Sequence, residues 1–431
     1  MSIATIESLD HEGRGIARVD GKAIFIEGAL PGERVEYSSY RKKAKFEQAT
    51  ATRLISESPQ RVAPRCEFFG TCGGCSMQHL DAGAQVAAKQ RVLEDSLWHI
   101  ARLKPELIYP AIYGPTWGYR YRARLTVRQV PTKGGVLVGF HEKKSSYIAD
   151  MRSCEILPSS IGHQLLALRA LVGSLSIPDR VPQIEIAVGE DRTVVVLRTL
   201  LAPSPTDLAR LRDFGAKHGF SMWIQPGGPD TAHPIDANDA QALTYTLPEF
   251  DLRLAFRPTD FTQVNVHINR LLIRRSMQLL EPRPGERIAD LFCGLGNFSL
   301  PIARRGAQVV GVEGSAALVA RAAANAAANG LSSLSEFLVA NLFEATPKSI
   351  AGLGRIDKML IDPPREGAIA VVKALGDNAP GRIVYVSCNP GTLARDAAVL
   401  VHEKGYRLRG AGVANMFPHT SHVESIALFE R

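Results

Sequence analysis

The residue types that could do chemistry start with a thiol. In Val384-Tyr385-Val386-Ser387-Cys388-Asn389-Pro390-Gly391-Thr392 the β-branched and aromatic run that begins at Ile383 reads as a buried strand ending on Cys388. Asn389 reads as an N-cap with Pro390 at the first helical position, so a helix starts there at once. A thiol between a strand's carboxyl end and a helix's amino end meets the positive end of the helix dipole. That position is expected to lower the thiol pKa and make Cys388 a nucleophile. The competing reading is an inert buried cysteine.

Four more cysteines form a second set. Cys66-x5-Cys72-x2-Cys75 surrounds Gly70, Gly73 and Gly74, which let the backbone curl so that sulfurs converge, and Cys154 comes much later. Four thiolates suit a zinc ion or an iron–sulfur cluster, and their spacing does not choose between them. The spacing differs from the x3 and x2 pattern of radical enzymes, so a structural or redox-sensing site is expected rather than radical chemistry.

These groups need elements to hold them. From about residue 251 strands and helices alternate, as in a doubly wound α/β sheet. Asp290-Leu291-Phe292-Cys293-Gly294-Leu295-Gly296-Asn297 closes a first strand, and Gly294 and Gly296 let a ligand approach the backbone. A second strand, Gln308 to Glu313, ends on an acid suited to ribose hydroxyls. Ligands in such sheets lie beyond the carboxyl ends of the strands. Asp290, Glu313, Asn341, Asp362 and Cys388 each end a strand, so all five should gather on one rim. Val423 to Phe429 reads as a last strand. Run antiparallel, it would bring Glu424 to the same rim, so that a nucleophile, a base and a cofactor loop face one cleft. A nicotinamide-binding domain is the rival to this arrangement.

The remainder looks like apparatus for a large anionic partner. Residues 1 to 56 read as short strands (Ile3 to Ile6, Gly15 to Val19, Ala23 to Ile26, Arg34 to Tyr37) in a small OB-like β-barrel, with a basic run at Arg41, Lys42, Lys43 and Lys45. Trp117 to Arg128 alternates arginine with aromatic or apolar residues, and on a strand this would make a stripe for phosphates and bases. Asp81 to Leu103 reads as a packing helix with Val86, Leu93, Leu97 and Ile100 on its apolar face. Residues 135 to 250 continue as an α+β region without a catalytic constellation. The net charge is +8 and the pI about 9.2, a balance that favours nucleic acid. Neither an export signal nor an apolar run long enough to span a membrane is read, so a cytoplasmic protein is expected. Nothing reads as a dimer helix, and a monomer is expected.

Several stretches carry a resemblance. Leu9 to Gly15 with Leu30 to Val35 resembles the TRAM domain of RNA-modifying enzymes. Phe261 to Asn265, Asp290 to Asn297, Ile361 to Gly367, Ser387 to Asp396 and His419 to Glu424 resemble RNA uracil-5-methyltransferases that use S-adenosylmethionine. Within that family the chain is most similar to bacterial 23S ribosomal RNA enzymes that carry both a TRAM domain and an iron–sulfur cluster. The tRNA-specific relatives lack both, which makes tRNA the runner-up substrate. Ser421 departs from the family's usual small residue.

The resemblance implies three domains. These are a TRAM barrel (1–56), a central iron–sulfur and RNA-binding domain (57–250), and a Rossmann-like class I methyltransferase domain (251–431) with an antiparallel last strand. It implies Cys388 as nucleophile and Glu424 as base. It implies Gln263, Phe292, Asn297, Glu313, Asn341 and Asp362 at the cofactor, and Cys66, Cys72, Cys75 and Cys154 as ligands of a [4Fe–4S] cluster. The implied partner is a single-stranded or loop region of 23S ribosomal RNA with its uracil flipped out. A non-catalytic RNA-binding assembly factor and a radical methylthiotransferase are the readings from other classes.

Overall fold

A computed structural model describes residues 2–431. At the amino end a six-stranded sheet has the order Ser2–Thr5, Arg34–Lys42, Phe46–Ser56, Lys22–Glu27, Gly15–Val19, Ser8–Leu9. Its small core is Ile6, Ile24, Ile26, Val35 and Tyr37 with four alanines. The four strands expected here from the sequence are all present in this one sheet. Its longest strand, Phe46–Ser56, had no clean apolar alternation to announce it, because one of its residues alone is fully buried.

A second six-stranded sheet runs His233–Pro234, Phe220–Gln225, Thr193–Arg198, Gln183–Val188, Arg122–Val130, Gly135–Gly139. Helices Leu165–Ser174 and Pro205–His218 pack on it. The second helix starts at a capping box made by Ser204 and Asp207. The expected arginine stripe is shorter than its sequence. Trp117 to Tyr121 lie outside the strand, Arg122 donates to the carbonyls of Asp260 and Pro258, and Arg124 pairs with Glu185 at 2.8 Å. Two of these arginines therefore hold protein rather than face solvent unpaired.

The third sheet has eight strands in the order Ser335–Val339, Gln308–Glu313, Arg287–Leu291, Lys358–Ile361, Arg382–Ser387, Glu424–Glu430, Arg407–Ala414, Leu107–Ile108. The first five are mutually parallel, and Glu424–Glu430 enters antiparallel between Arg382–Ser387 and Arg407–Ala414. Ile383, Val384, Tyr385 and Val386 are completely buried. At about 1.5–3 kcal/mol for each large apolar side chain, their burial makes the strand a firm support for the thiol at its carboxyl end.

Two features cut across the domain limits expected from the sequence. Leu107–Ile108 completes the edge of the third sheet, beside Gly410 and Ala411, although it lies in the stretch assigned to the central domain. The hairpin Leu243–Leu247 with Leu252–Phe256 straddles residue 250. The expected packing helix is Ala82–Ala101, but its buried face is Gln85, Lys89, Leu93, Leu97 and Ala101. Ile100, expected inside, is 54% exposed. Among the described residues no helix is long and apolar enough to cross a membrane.

Candidate active site

Ser387 and Ser425 are register partners in the antiparallel pair of central strands. Cys388 comes directly after Ser387, and Glu424 directly before Ser425, so both occupy the next rung on the same rim. Asn389 caps the helix Pro390–Ala398 by accepting from the Gly391 amide at 3.0 Å, as its sequence predicts. Asn389 Nδ2 and Thr392 Oγ1 both donate to the Arg365 carbonyl, at 3.2 Å each. The loop after Asp362 is thereby tied to the start of the Cys388 helix. Its far end is held by Asp396, which is fully buried and accepts from the Ala368 amide and the Tyr385 hydroxyl, both at 2.7 Å.

The electrostatics correct one expectation. The Cys388 thiol is not depressed by its helix; burial, then the charges of Glu424 and Asp362, push it up to about 11. Arg365 pulls the other way. Glu424 is 3% exposed, and burial together with the Asp362 charge holds its carboxyl well above the usual range. Desolvation lifts Asp362 to about 7. A neutral thiol beside carboxyls poised to hold protons is the resting state of this rim.

The remaining rim residues surround the loop after Arg287–Leu291. Phe292 adopts a left-handed φ of 63°, an uncommon conformation for a bulky residue, and its ring lies 5.7 Å from that of Phe343. Glu313 accepts from the Gly294 amide at 3.2 Å and the Ser315 amide at 2.9 Å, so it already orders the glycine loop. Asn341 accepts from the Phe343 amide at 3.1 Å. Asn297 exchanges two 3.0 Å hydrogen bonds with Asn269 and accepts from the Tyr245 hydroxyl at 2.9 Å. Its amide is thus committed to protein partners, which makes it a support of the loop. Gln263 borders a small cavity with Tyr121, Tyr245 and Asn269. Asp290 is completely buried below the loop, bonded to the Ser299 hydroxyl and lifted to about 7 by desolvation.

Comparison with known proteins accords with this geometry. The family model for tRNA (Uracil-5-)-methyltransferase matches residues 239–431, and that for the TRAM domain matches residues 4–36. A curated protein of Aromatoleum aromaticum named 23S rRNA (uracil(1939)-C(5))-methyltransferase RlmD is 70% identical over 100% of both chains. Its namesake in Ralstonia nicotianae is 60% identical over 99% of this chain and 98% of its own. The chain belongs to the uracil-5-methyltransferase family. The crystal structure of Pyrococcus abyssi tRNA (uracil-54, C5)-methyltransferase in complex with S-adenosyl-L-homocysteine covers 99% of this uracil-5-methyltransferase, with a TM-score of 0.75 and 24% identity. That likeness shows a shared class I methyltransferase fold with its amino-terminal domain.

The second cysteine set also converges in this uracil-5-methyltransferase. Cys66, Cys72, Cys75 and Cys154 line one small cavity of about 20 Å3, together with Phe68, Phe140 and Met151. Burial and the neighbouring thiols push Cys75 up to about 11 and Cys154 up to about 12. Among the described residues no three His, Cys, Asp or Glu side chains stand close enough to hold a single metal ion. The four thiols share one cavity lining without forming a metal-holding group.

Several site residues carried no role in the sequence reading. Arg365 lies beside Cys388 and 3.3 Å from the His422 ring. Gln85 and Lys89 reach the segment before Glu424 from the helix Ala82–Ala101. The one available signal was their four-residue spacing with Leu93 and Leu97, which puts two polar residues on an otherwise apolar stripe.

Proposed function

We propose that this uracil-5-methyltransferase transfers the methyl group of S-adenosylmethionine to carbon 5 of a uracil in 23S ribosomal RNA. The observation that carries the reading is the Ser387–Ser425 rung, from which Cys388 and Glu424 continue side by side. The names of the relatives support ribosomal RNA as the substrate.

Carbon 5 of uracil is too weak a nucleophile to take a methyl group unaided. The Cys388 thiol first gives up its proton to water, its thiolate adds to carbon 6, and the ring becomes an enolate with carbon 5 electron-rich. Bound S-adenosylmethionine supplies the electrophilic methyl group. After the carbon 5–methyl bond forms, Glu424 as carboxylate removes the proton from carbon 5. The carbon 6–sulfur bond then breaks and the 5,6 double bond returns. The apolar surroundings that raise Glu424 also make it a stronger base once ionised. Arg365 is the cation placed to favour the thiolate. Gln263, Phe292, Glu313, Asn341 and Asp362 border the cofactor place, with Asn297 supporting its loop. The target uracil has to leave its stack to reach Cys388, at a cost of a few kcal/mol that contacts with the TRAM and central domains offset.

Cys66, Cys72, Cys75 and Cys154 would hold a [4Fe–4S] cluster. What supports this reading is that the four thiols border one common cavity. It would supply a rigid cross-link, and nothing in the methyl transfer requires its redox chemistry.

Covalent trapping tests the reading. The protein and S-adenosylmethionine are mixed with 5-fluorouridine transcripts of 23S ribosomal RNA fragments and of tRNA. Fluorine cannot leave as a proton, so a Cys388-dependent adduct with the ribosomal fragment alone is expected. An adduct with tRNA alone would overturn the substrate and keep the chemistry. No adduct with either, in protein that binds the cofactor, would favour an assembly factor.

A further inference from the structure

We infer that the cysteine loop positions the catalytic base, with Ser76 and Gln85 as positioning residues that act on Glu424 through the segment 419–421. The inference rests on the reading of Glu424 as base.

The segment between the strands Arg407–Ala414 and Glu424–Glu430 is anchored from far away in the chain. The amides of Ser76 and Met77 both donate to the His419 carbonyl at 2.9 Å. Ser76 Oγ accepts from the Ser421 amide at 3.1 Å. Gln85 Oε1 accepts from the His419 amide at 2.8 Å, while its Nε2 donates to the carbonyls of Met77 at 3.0 Å and Leu80 at 2.8 Å. The same Nε2 stands 3.2 Å from His419 Nδ1. Upstream, Lys89 Nζ donates to Asn415 Oδ1 at 2.7 Å and the Phe417 carbonyl at 2.8 Å, and the Tyr119 hydroxyl to the Pro418 carbonyl at 2.9 Å.

His419 is held in a left-handed conformation, φ 65°, with its ring stacked 3.9 Å from Trp117. A non-glycine residue stays in that region when its surroundings over-determine it. Here the surroundings are Gln85 and the two residues after Cys75. Between the last anchor, Ser421, and Glu424 lie His422 and Val423. A displacement of Cys75 is therefore passed to the base through a short, fully bonded path. The TRAM domain touches the same junction. A side chain at Gly13 would meet Met77 Cγ at 3.1 Å and Ser421 Cβ at 3.6 Å.

The consequence is specific to one step. Loosening this path leaves Cys388 and the cofactor rim on their own strands, so addition and methyl transfer continue while proton removal stalls. The test uses anaerobically purified full-length Ser76→Ala and Gln85→Met, with Glu424→Gln as reference. Each is mixed with S-adenosylmethionine and a uridine-containing 23S fragment. Expected are a fall in turnover of about tenfold, unchanged S-adenosylmethionine binding by calorimetry, and a methylated protein–RNA adduct on a denaturing gel. Ser76→Thr, which keeps the hydroxyl, should restore turnover and clear the adduct. Should Gln85→Met not fold, Ser76→Ala alone carries the test, because its side chain is only partly enclosed. Unchanged turnover in Ser76→Ala, or lost turnover without adduct while Glu424→Gln accumulates it, would overturn the inference and leave the base assignment intact. Absence of adduct in Glu424→Gln would overturn the base assignment itself.

Discussion

Ser425 Oγ donates to the Ser387 carbonyl at 3.0 Å, inside the sheet and out of reach of water. The bond fixes the rung from which nucleophile and base both continue. Ser425→Ala removes it and leaves a buried carbonyl with one partner fewer, at a cost of about 1 kcal/mol in denaturant unfolding. Turnover should fall by more than that stability loss implies, roughly tenfold, because reacting groups tolerate little misplacement. Steady-state kinetics beside unfolding curves check the two together.

The raised Cys388 thiol makes a prediction about alkylation. With iodoacetamide and no RNA, modification of Cys388 should be slow at neutral pH and accelerate as pH rises toward about 11. Glu424→Gln removes the larger of the two charge effects that raise the thiol, so its profile should move to lower pH. Mass spectrometry of the Cys388 peptide reads both profiles. A profile centred near the free-cysteine value would show that the carboxylates do not act on this sulfur.

Lys89 makes a prediction about stability against pH. Its folded pKa is lowered by burial to about 7, from 10.5. Between those values the unfolded chain holds a proton that the folded chain has released, so stability rises with pH across the window. Below about 7 the full cost of the buried charge is present. Lys89→Met has no such group. Thermal unfolding from pH 6 to 10 should show the wild type gaining on the variant as pH rises, and parallel curves would contradict the buried position.

Removing a thiol from the second set gives a fourth outcome. Cys154→Ser, purified without oxygen, should lose the brown colour and most of the iron expected of the parent protein. Cofactor binding should persist, since the rim belongs to another sheet. Iron analysis and calorimetry decide this, and stoichiometric zinc without iron in the parent would remove the cluster from the account.

The legible parts of the site were local ones. The strand read as ending on Cys388, the cap at Asn389 and the antiparallel last strand are written in neighbouring residues, and they stand within one residue of where the pattern put them. The direction of the Cys388 shift was not legible. A helix dipole can be inferred from adjacent residues, whereas the burial that wins, and the charges of Glu424 and Asp362 that add to it, come from packing against distant parts of the chain. The helix Ala82–Ala101 was misread for a related reason. Apolar spacing favoured Val86 and Ile100, but the buried face carries Gln85 and Lys89, whose partners lie more than three hundred residues away. Periodicity finds a face that avoids water and is blind to one that trades water for hydrogen bonds.

The insertion of Glu424–Glu430 between Arg382–Ser387 and Arg407–Ala414 has a consequence for the protein's synthesis. Both neighbours leave the ribosome first, each with an unpaired edge facing the gap. At about 5–20 residues per second that interval lasts seconds, during which the nascent chain exposes a template for wrong pairing. The strand that closes the gap also brings the base. The protein therefore gains its nucleophile–base pair and loses its open edges in one event, and a chain stalled before that point is both inactive and prone to aggregate.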